Sequence, residues 1–308
     1  DDEPPSREEQ LIHAFTGRTA GAGPRPTLGP GDDAALTADG TVVSVDVLVE
    51  GVHFTREWSP EDLGFKVIAV SVSDLAAMGA KPEWALLTVS GPARRLNASW
   101  AKAFERGLHE ACDQWNIALI GGDTTGALRD VSVGATLGGR CVAAPLQRDG
   151  ASPGDEIWTT GRLGIAGRAW RSDTPDDRAI RAHRRPEPPL PFALDLAKGR
   201  LATAAMDISD GLAVDLPRLA KASGCAMEVD AASVQRAGEG SLEDILCGGE
   251  DYELLFTAPP RVHDRIRSLA HHHGIQVHRI GLCREGAGAH LPHHAWPTTA
   301  WSHFAGAS

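Results

Sequence analysis

Acidic residues recur in this chain at the places where an unpaired charge is most costly to a folded protein. The clearest case is Met206-Asp-Ile-Ser-Asp-Gly-Leu212, in which Asp207 and Asp210 bracket the hydroxyl of Ser209. The apolar run before it, Leu201 to Met206, reads as a buried strand. After it, Leu212, Leu216 and Leu219 recur at helical spacing and Gly224 supplies a stop, so a helix is expected from Leu212 to Ala222. The two acids thus fall where a strand ends and a helix begins. A helix N-terminus attracts phosphate, and carboxylates beside it can hold a metal against that phosphate. For this stretch alone, capping of the helix by Ser209 or Asp210 is the plainer alternative.

The pattern repeats along the chain. Ser6 to Glu9 form a capping box ahead of a short helix through Phe15, and a Gly- and Pro-rich loop runs from Gly17 to Pro30. Gly29 to Ala35 then carries Asp32 and Asp33. Thr41 to Val49 is expected as a strand with Asp46 inside a β-branched run; the acid is either paired or metal-bound, or it shares a wet face with Ser44 and Leu48. Ser59-Pro60 opens a helix that ends at Met78-Gly79, with Asp74 beside Ser71 and Ser73 among small apolar residues. A strand over Glu83 to Gly91, a helix over Asn97 to Trp115 and a buried strand over Ile117 to Ile120 follow. The last ends in Gly121-Gly-Asp-Thr-Thr125, a further acid at a strand end. Asp130 to Arg140 completes the first set of strands.

Between Cys141 and Gly154 the composition shifts to Pro, Gly and charge, which places a domain boundary there and divides the chain into 1–142 and 143–308. Asp155 to Thr160 is a strand leading into Gly161-Arg-Leu-Gly164, a turn that could cradle phosphate but lacks the Lys-Ser/Thr of a P-loop. Ser172 to Pro191 reads as a polar loop that orders on ligand binding. Ala226 to Val229 is a strand and a variable loop follows it. Glu250 and Asp251 stand behind two glycines ahead of another strand. A helix over Pro259 to His273 and a strand over Ile275 to Cys283 complete the pattern; His271 to His273 suit a solvated helix end better than a metal site.

Composition narrows the chemistry. The formal charge of −11 offers no basic field for a nucleic acid backbone, so an anionic substrate would need metal ions to bind here. The five cysteines are scattered, with no CxxC pair, and read as buried thiols of a reducing compartment. No run approaches membrane-spanning length and no signal peptide is visible, so a cytoplasmic protein that does not bind membranes is expected. An all-oxygen set of Asp33, Asp46, Asp74, Asp123, Asp207 and Asp210 selects magnesium rather than zinc. Several magnesium ions would neutralise a polyphosphate and orient it for in-line transfer.

The motifs Gly31-Asp-Asp-Ala34, Ser44-Val-Asp46 with Gly51-Val-His53, Val72 to Gly79, Gly121 to Thr125, Met206 to Gly211 and Gly248-Gly-Glu-Asp-Tyr-Glu-Leu254 occur in one order. Together they resemble the thiamine-monophosphate kinase family, of the superfamily that includes aminoimidazole ribonucleotide synthetase, selenophosphate synthetase and a hydrogenase-maturation dehydratase. The resemblance implies a two-domain α/β protein in which the N-terminal sheets of two subunits pair in a homodimer and a C-terminal α/β domain completes the site. It implies direct phosphoryl transfer from ATP to thiamine monophosphate, giving ADP and thiamine diphosphate without a phosphoenzyme. On this resemblance the six aspartates fall on magnesium ligands, with Asp46, Asp123 and Asp210 the most directly catalytic, and Ser44 and the Val45 carbonyl add metal contacts. Phe104, Gly122, Arg148 and Ser209 fall at nucleotide contacts. His53 and Glu250 match substrate contacts, and Trp301 matches an aromatic that packs on the thiamine rings. Against selenophosphate synthetase, no Cys precedes Cys112; against a non-catalytic homologue, all six acids are present.

Overall fold

The computed structural model describes residues 7–16 and 27–297, and Trp301 lies outside them. Two mixed sheets form the framework. The first contains β1 (Ala35–Leu36), β2 (Thr41–Val49), β3 (Ala80–Gly91), β4 (Ala118–Gly126) and β5 (Ser132–Cys141), in the order β1-β2-β5-β3-β4. Only β3 and β4 run parallel. α1 (Arg7–Thr16) precedes this sheet, and α2 (Pro60–Ala77) and α3 (Ala98–Trp115) are inserted within it. The second sheet contains β6 (Glu156–Thr160), β7 (Ala204–Ile208), β8 (Ala226–Val229), β9 (Glu253–Ala258), β10 (Val277–Arg284) and β11 (Ala289–His290), in the order β11-β8-β10-β6-β9-β7. Around it lie α4 (Arg168–Arg171), α5 (Asp177–Arg184), α6 (Leu190–Lys198), α7 (Leu212–Ser223), α8 (Ala231–Arg236), α9 (Leu242–Cys247) and α10 (His263–His273).

The centre of the molecule is α2. The Ser59 hydroxyl oxygen accepts the Glu61 N–H, Pro60 supplies a preset first turn, and Gly79 with φ 64° ends the helix region. From Leu63 onward its sequence is largely apolar around the whole circumference, with Lys66, Ser71, Ser73 and Asp74 the exceptions, as suits a helix packed on several sides. It packs on β2 and β5 of the first sheet, on β7 and β9 of the second, and on α6. One apolar core consequently runs through both halves: Phe65, Val72 and Leu75 belong to the same cluster as Trp158, Phe192 and Phe256. A second core fills the space between the other part of the second sheet and α7.

Several elements depart from the sequence reading. The strand expected over Ile117 to Ile120 continues through the glycines to Gly126, so Asp123 lies within a strand rather than after one. That strand is exposed throughout instead of buried, because it is the sheet edge and nothing among the described residues covers it. The stretch from Ser172 to Pro191 contains α5, capped by the Asp176 carboxylate at the Ala179 N–H, and the start of α6, whose Phe192 and Leu196 are buried. The variable loop after β8 contains α8 and α9, the latter opened by a capping box between Ser241 and Asp244. His273 is not merely solvated; its Nε2 lies 3.0 Å from Asp195.

The α2–α3 crossing depends on glycine. A Cβ on Gly107 would lie 1.8 Å from the Glu61 carbonyl oxygen, and one on Gly64 would lie 2.2 Å from that of Phe104. Backbone meets backbone, so no side chain can rotate away. Gly107→Ala is expected to destabilise the fold by about 1–3 kcal/mol or more, lowering the melting temperature by several degrees in differential scanning calorimetry.

Candidate active site

Three polar side chains project from a single turn of α2: Ser71, Ser73 and Asp74. The Ser71 hydroxyl donates to Asp46 on β2 at 2.9 Å, and the Ser73 hydroxyl donates to Asp207 on β7 at 2.8 Å. Asp74 accepts a hydrogen bond from Ser44 of β2. A single helix therefore orients acids from both sheets. Asp46 lies on the face of β2 that looks toward α2, together with Ser44 and Leu48, at a point where that layer opens to a cleft of about 810 Å³. The cleft is also lined by Asp33, Arg148, Ser209, Asp210, His53 and Glu250.

At its floor, carboxylate oxygens of Asp33, Asp74 and Asp207 lie within 4.8 Å of one another. Burial pushes the carboxyls of Asp74 and Asp207 well above the usual range, and their acidic neighbours push in the same direction. Asp32 is raised to about 6 by burial and by Asp33. Like charges at this spacing, all with oxygen donors, form a donor set suited to a hard divalent cation. Arg148 provides part of the compensation: its guanidinium donates to Asp33 at 2.6 and 3.2 Å, and its backbone N–H donates to Asp32 at 3.2 Å.

Asp210 follows β7 at the entry to α7. Its backbone N–H donates to the buried carboxylate of Asp215 at 3.1 Å, and Arg218 bridges Asp210 and Asp215. Asp215 is itself raised to about 7, by burial and then by Asp210. Two arginines pair with these acids, Arg148 with Asp33 from 115 residues away and Arg218 with Asp210 from two turns along α7.

The remaining site residues divide into two groups. Ser44, Val45, Asp46, His53, Asp74, Arg148, Asp207, Ser209, Asp210 and Glu250 all line the cleft with Asp33. His53 Nδ1 accepts the Val49 N–H at 3.0 Å, which fixes the ring at the end of β2. Phe104 does not reach the cleft; it is buried where α3 meets α2 and stacks on Trp100 at 4.8 Å, because it falls on the apolar face of its helix. Gly122 lies against β3, where a Cβ would meet the Leu87 carbonyl at 1.9 Å. Asp123 is in register with Thr88, Thr88 with Gly134, and Gly134 with Val47. It therefore shares a sheet face with Val47, opposite to Asp46, and stands three strand spacings, roughly 14 Å, from β2. Within one chain it cannot join the other acids.

Sequence reasoning missed Lys66 and His183. Lys66 is fully buried, and its ammonium pairs with Glu250 and donates to the His183 carbonyl at 2.7 Å. Its signal was a lone lysine in an apolar helix, on the stripe of Val70 and Asp74 at i+4 and i+8.

Comparisons with known proteins agree with this architecture. Residues 31–143 match the N-terminal domain of AIR synthase related proteins, and residues 152–291 match their C-terminal domain. Thiamine-monophosphate kinase of Escherichia coli strain K12 is 35% identical, over 89% of this chain and 89% of that one. The crystal structure of thiamine-monophosphate kinase from Stenotrophomonas maltophilia K279a superposes with a TM-score of 0.74 at 37% identity, covering 92% of this chain and 95% of that one. A structure described as AaThiL complexed with AMPPCP and TMP superposes with a TM-score of 0.77 at 29% identity, covering 96% and 95%.

The raised acids have a consequence for stability. A carboxyl whose native pKa exceeds its unfolded value stabilises the fold below that unfolded value, and the contribution is lost as pH rises through the native one. For Asp32 and Asp215 the native values are about 6 and about 7, and Asp74 and Asp207 are displaced in the same direction. In EDTA, the melting temperature should fall between about pH 5 and about pH 8, and magnesium should recover part of the loss at the upper end. Asp74→Asn should flatten both the fall and the recovery in thermal-shift measurements.

Proposed function

The chain belongs to the thiamine-monophosphate kinase family, and from that membership and the geometry of its cleft we propose that it transfers a phosphoryl group from ATP to thiamine monophosphate, forming ADP and thiamine diphosphate. The observation that carries this reading is the convergence of Asp33, Asp74 and Asp207 within 4.8 Å on the floor of a cleft between the two sheets. These acids would hold magnesium, with Asp46, Asp210, Ser44 and the Val45 carbonyl available beside them. Bound there, magnesium would supply the positive charge that a nucleoside triphosphate and a phosphorylated acceptor need in order to approach each other. The chain's own residues orient the site: Ser71 and Ser73 fix Asp46 and Asp207, and the start of α7 presents backbone N–H groups beside Ser209. Arg148, Arg218 and Lys221 line the same cleft and add cations for phosphate oxygens. His53 and Glu250 would stand at the acceptor end. Transfer is direct between the two substrates, and residues 1–142 and 143–308 act as the two domains that bracket them. We place the protein in the cytoplasm; no helix among the described residues is long and apolar enough to cross a membrane.

The same reading includes a homodimer. The face of the first sheet that turns away from α2 exposes Val45, Val47, Leu86 and, toward the β4 edge, apolar residues including Ile120. An apolar sheet face needs a partner. Asp123 lies on this same face, and we propose that in such a pair it serves the site of the partner subunit, since it is remote from Asp46 of its own chain.

Two experiments check this function. ADP release should be acceptor-dependent, greatest with thiamine monophosphate in a panel of phosphorylated acceptors, and lost in excess EDTA until magnesium is restored; preference for another acceptor, or full activity in EDTA, would overturn it. Asp46→Asn and Asp123→Asn should each lower turnover by orders of magnitude while remaining folded. Unfolding and refolding the two variants together should then regain activity, because mixed dimers contain one site with both acids intact. A mixture as inactive as its components would place Asp123 outside the site.

A further inference from the structure

Glu250 is held from every side. Its backbone has φ 61°, in the left-handed region, and its N–H donates to the Ser209 carbonyl at 2.6 Å. Its carboxylate is at the boundary between the main cleft and a side cavity of about 360 Å³ whose walls include His53, Trp58, Trp170 and His183. Lys66 Nζ pairs with its Oε2, and His183 Nε2 lies 3.3 Å from the same oxygen. Among the described residues no group bonds to Oε1. Lys66 in turn has its ammonium 5.1 Å from the Trp58 ring, and Trp58 meets the His183 ring edge-on at 5.0 Å.

This arrangement is expensive if its purpose is only to fill space. A buried ion pair is often no more stable than apolar residues of the same volume. Burial pushes the Glu250 carboxyl up, and the Lys66 ammonium overrides this and holds it well below the usual carboxylate range. Burial lowers the His183 pKa, so its ring is neutral and can donate through Nε2. The outcome is a carboxylate that is ionised, immobile and occupied on one oxygen only, at the mouth of an aromatic cavity.

We propose that Lys66, assisted by His183, is a positioning residue for acceptor recognition: it anchors Glu250 Oε2 so that Oε1 accepts a hydrogen bond from an amino group on the ring portion of the acceptor in the side cavity. This rests on the function proposed above, in which the acceptor carries an aminopyrimidine. Glu250 touches the acceptor; Lys66 acts through Glu250 and is remote from the transferred phosphoryl group.

The test compares Michaelis constants for the two substrates. Lys66→Met should raise KM for thiamine monophosphate on the order of ten- to a hundredfold, the loss expected for one charge-assisted hydrogen bond, while KM for ATP stays within about twofold. The wild-type protein should discriminate against the acceptor analogue whose ring amino group is replaced by hydrogen, which leaves no donor for Oε1, and Lys66→Met should lose that discrimination. Because Lys66→Met leaves Glu250 without its cation and can fail to fold, the neutral pair Lys66→Met/Glu250→Gln is made beside it. That double variant should melt near the wild-type temperature yet keep the raised acceptor KM. A lowered melting temperature with unchanged acceptor KM, a double variant with wild-type KM, or a wild-type protein indifferent to the amino group would each overturn the proposal. If the acceptor panel selects a compound other than thiamine monophosphate, the kinase reading falls separately, and the KM split with that compound still decides whether Lys66 positions the acceptor.

Discussion

The structure depends on how α2 carries charge through an apolar interior. Asp74 of α2, Asp207 of β7 and Asp33 from the segment before β1 lie close enough to repel one another, and burial adds to the cost of ionising Asp74 and Asp207. Two devices make this tolerable. Two serines of one helical turn, on nearly opposite sides of α2, donate to Asp46 and Asp207, and Arg148 reaches in from the connection between the sheets to bind Asp33. The hydroxyls orient without neutralising, so the acids remain repelled and stay receptive to a cation.

Much of this was legible in the sequence because the relevant residues share strands and helix ends. β2 has the bounds expected from its β-branched run, and Asp74 and Asp207 stood out as charges in apolar company. The choice between a bound and a wet Asp46 could not be made from alternation, since the residue faces the helix layer and the cleft at once. Long-range pairings were hidden for a different reason. Glu250 and Lys66 are 184 residues apart, and nothing local to either names the other. Phe104 was misplaced because a helix's register against its neighbour is set by the glycine contact between α2 and α3, which composition does not reveal.

Asp123 illustrates the limit of reading motifs as a set. Gly121 to Thr125 resembles the other acidic stretches in composition, and it follows an apolar run in the same manner. Sheet order puts it elsewhere: β5 and β3 intervene between β2 and β4, and the alternation of side chains places Asp123 on the opposite face. A motif can therefore match the others in composition and still stand apart from them in its own chain.

The shared core around α2 also bears on modularity. The two halves of the chain match separate domain families, yet Phe65, Val72 and Leu75 are buried partly by Trp158, Phe192 and Phe256 from beyond the boundary. Cutting the chain there would open an apolar wound on each fragment at the surface that bears the acids. At the seam a substitution in one half changes what the other half packs against, so the larger core belongs to both.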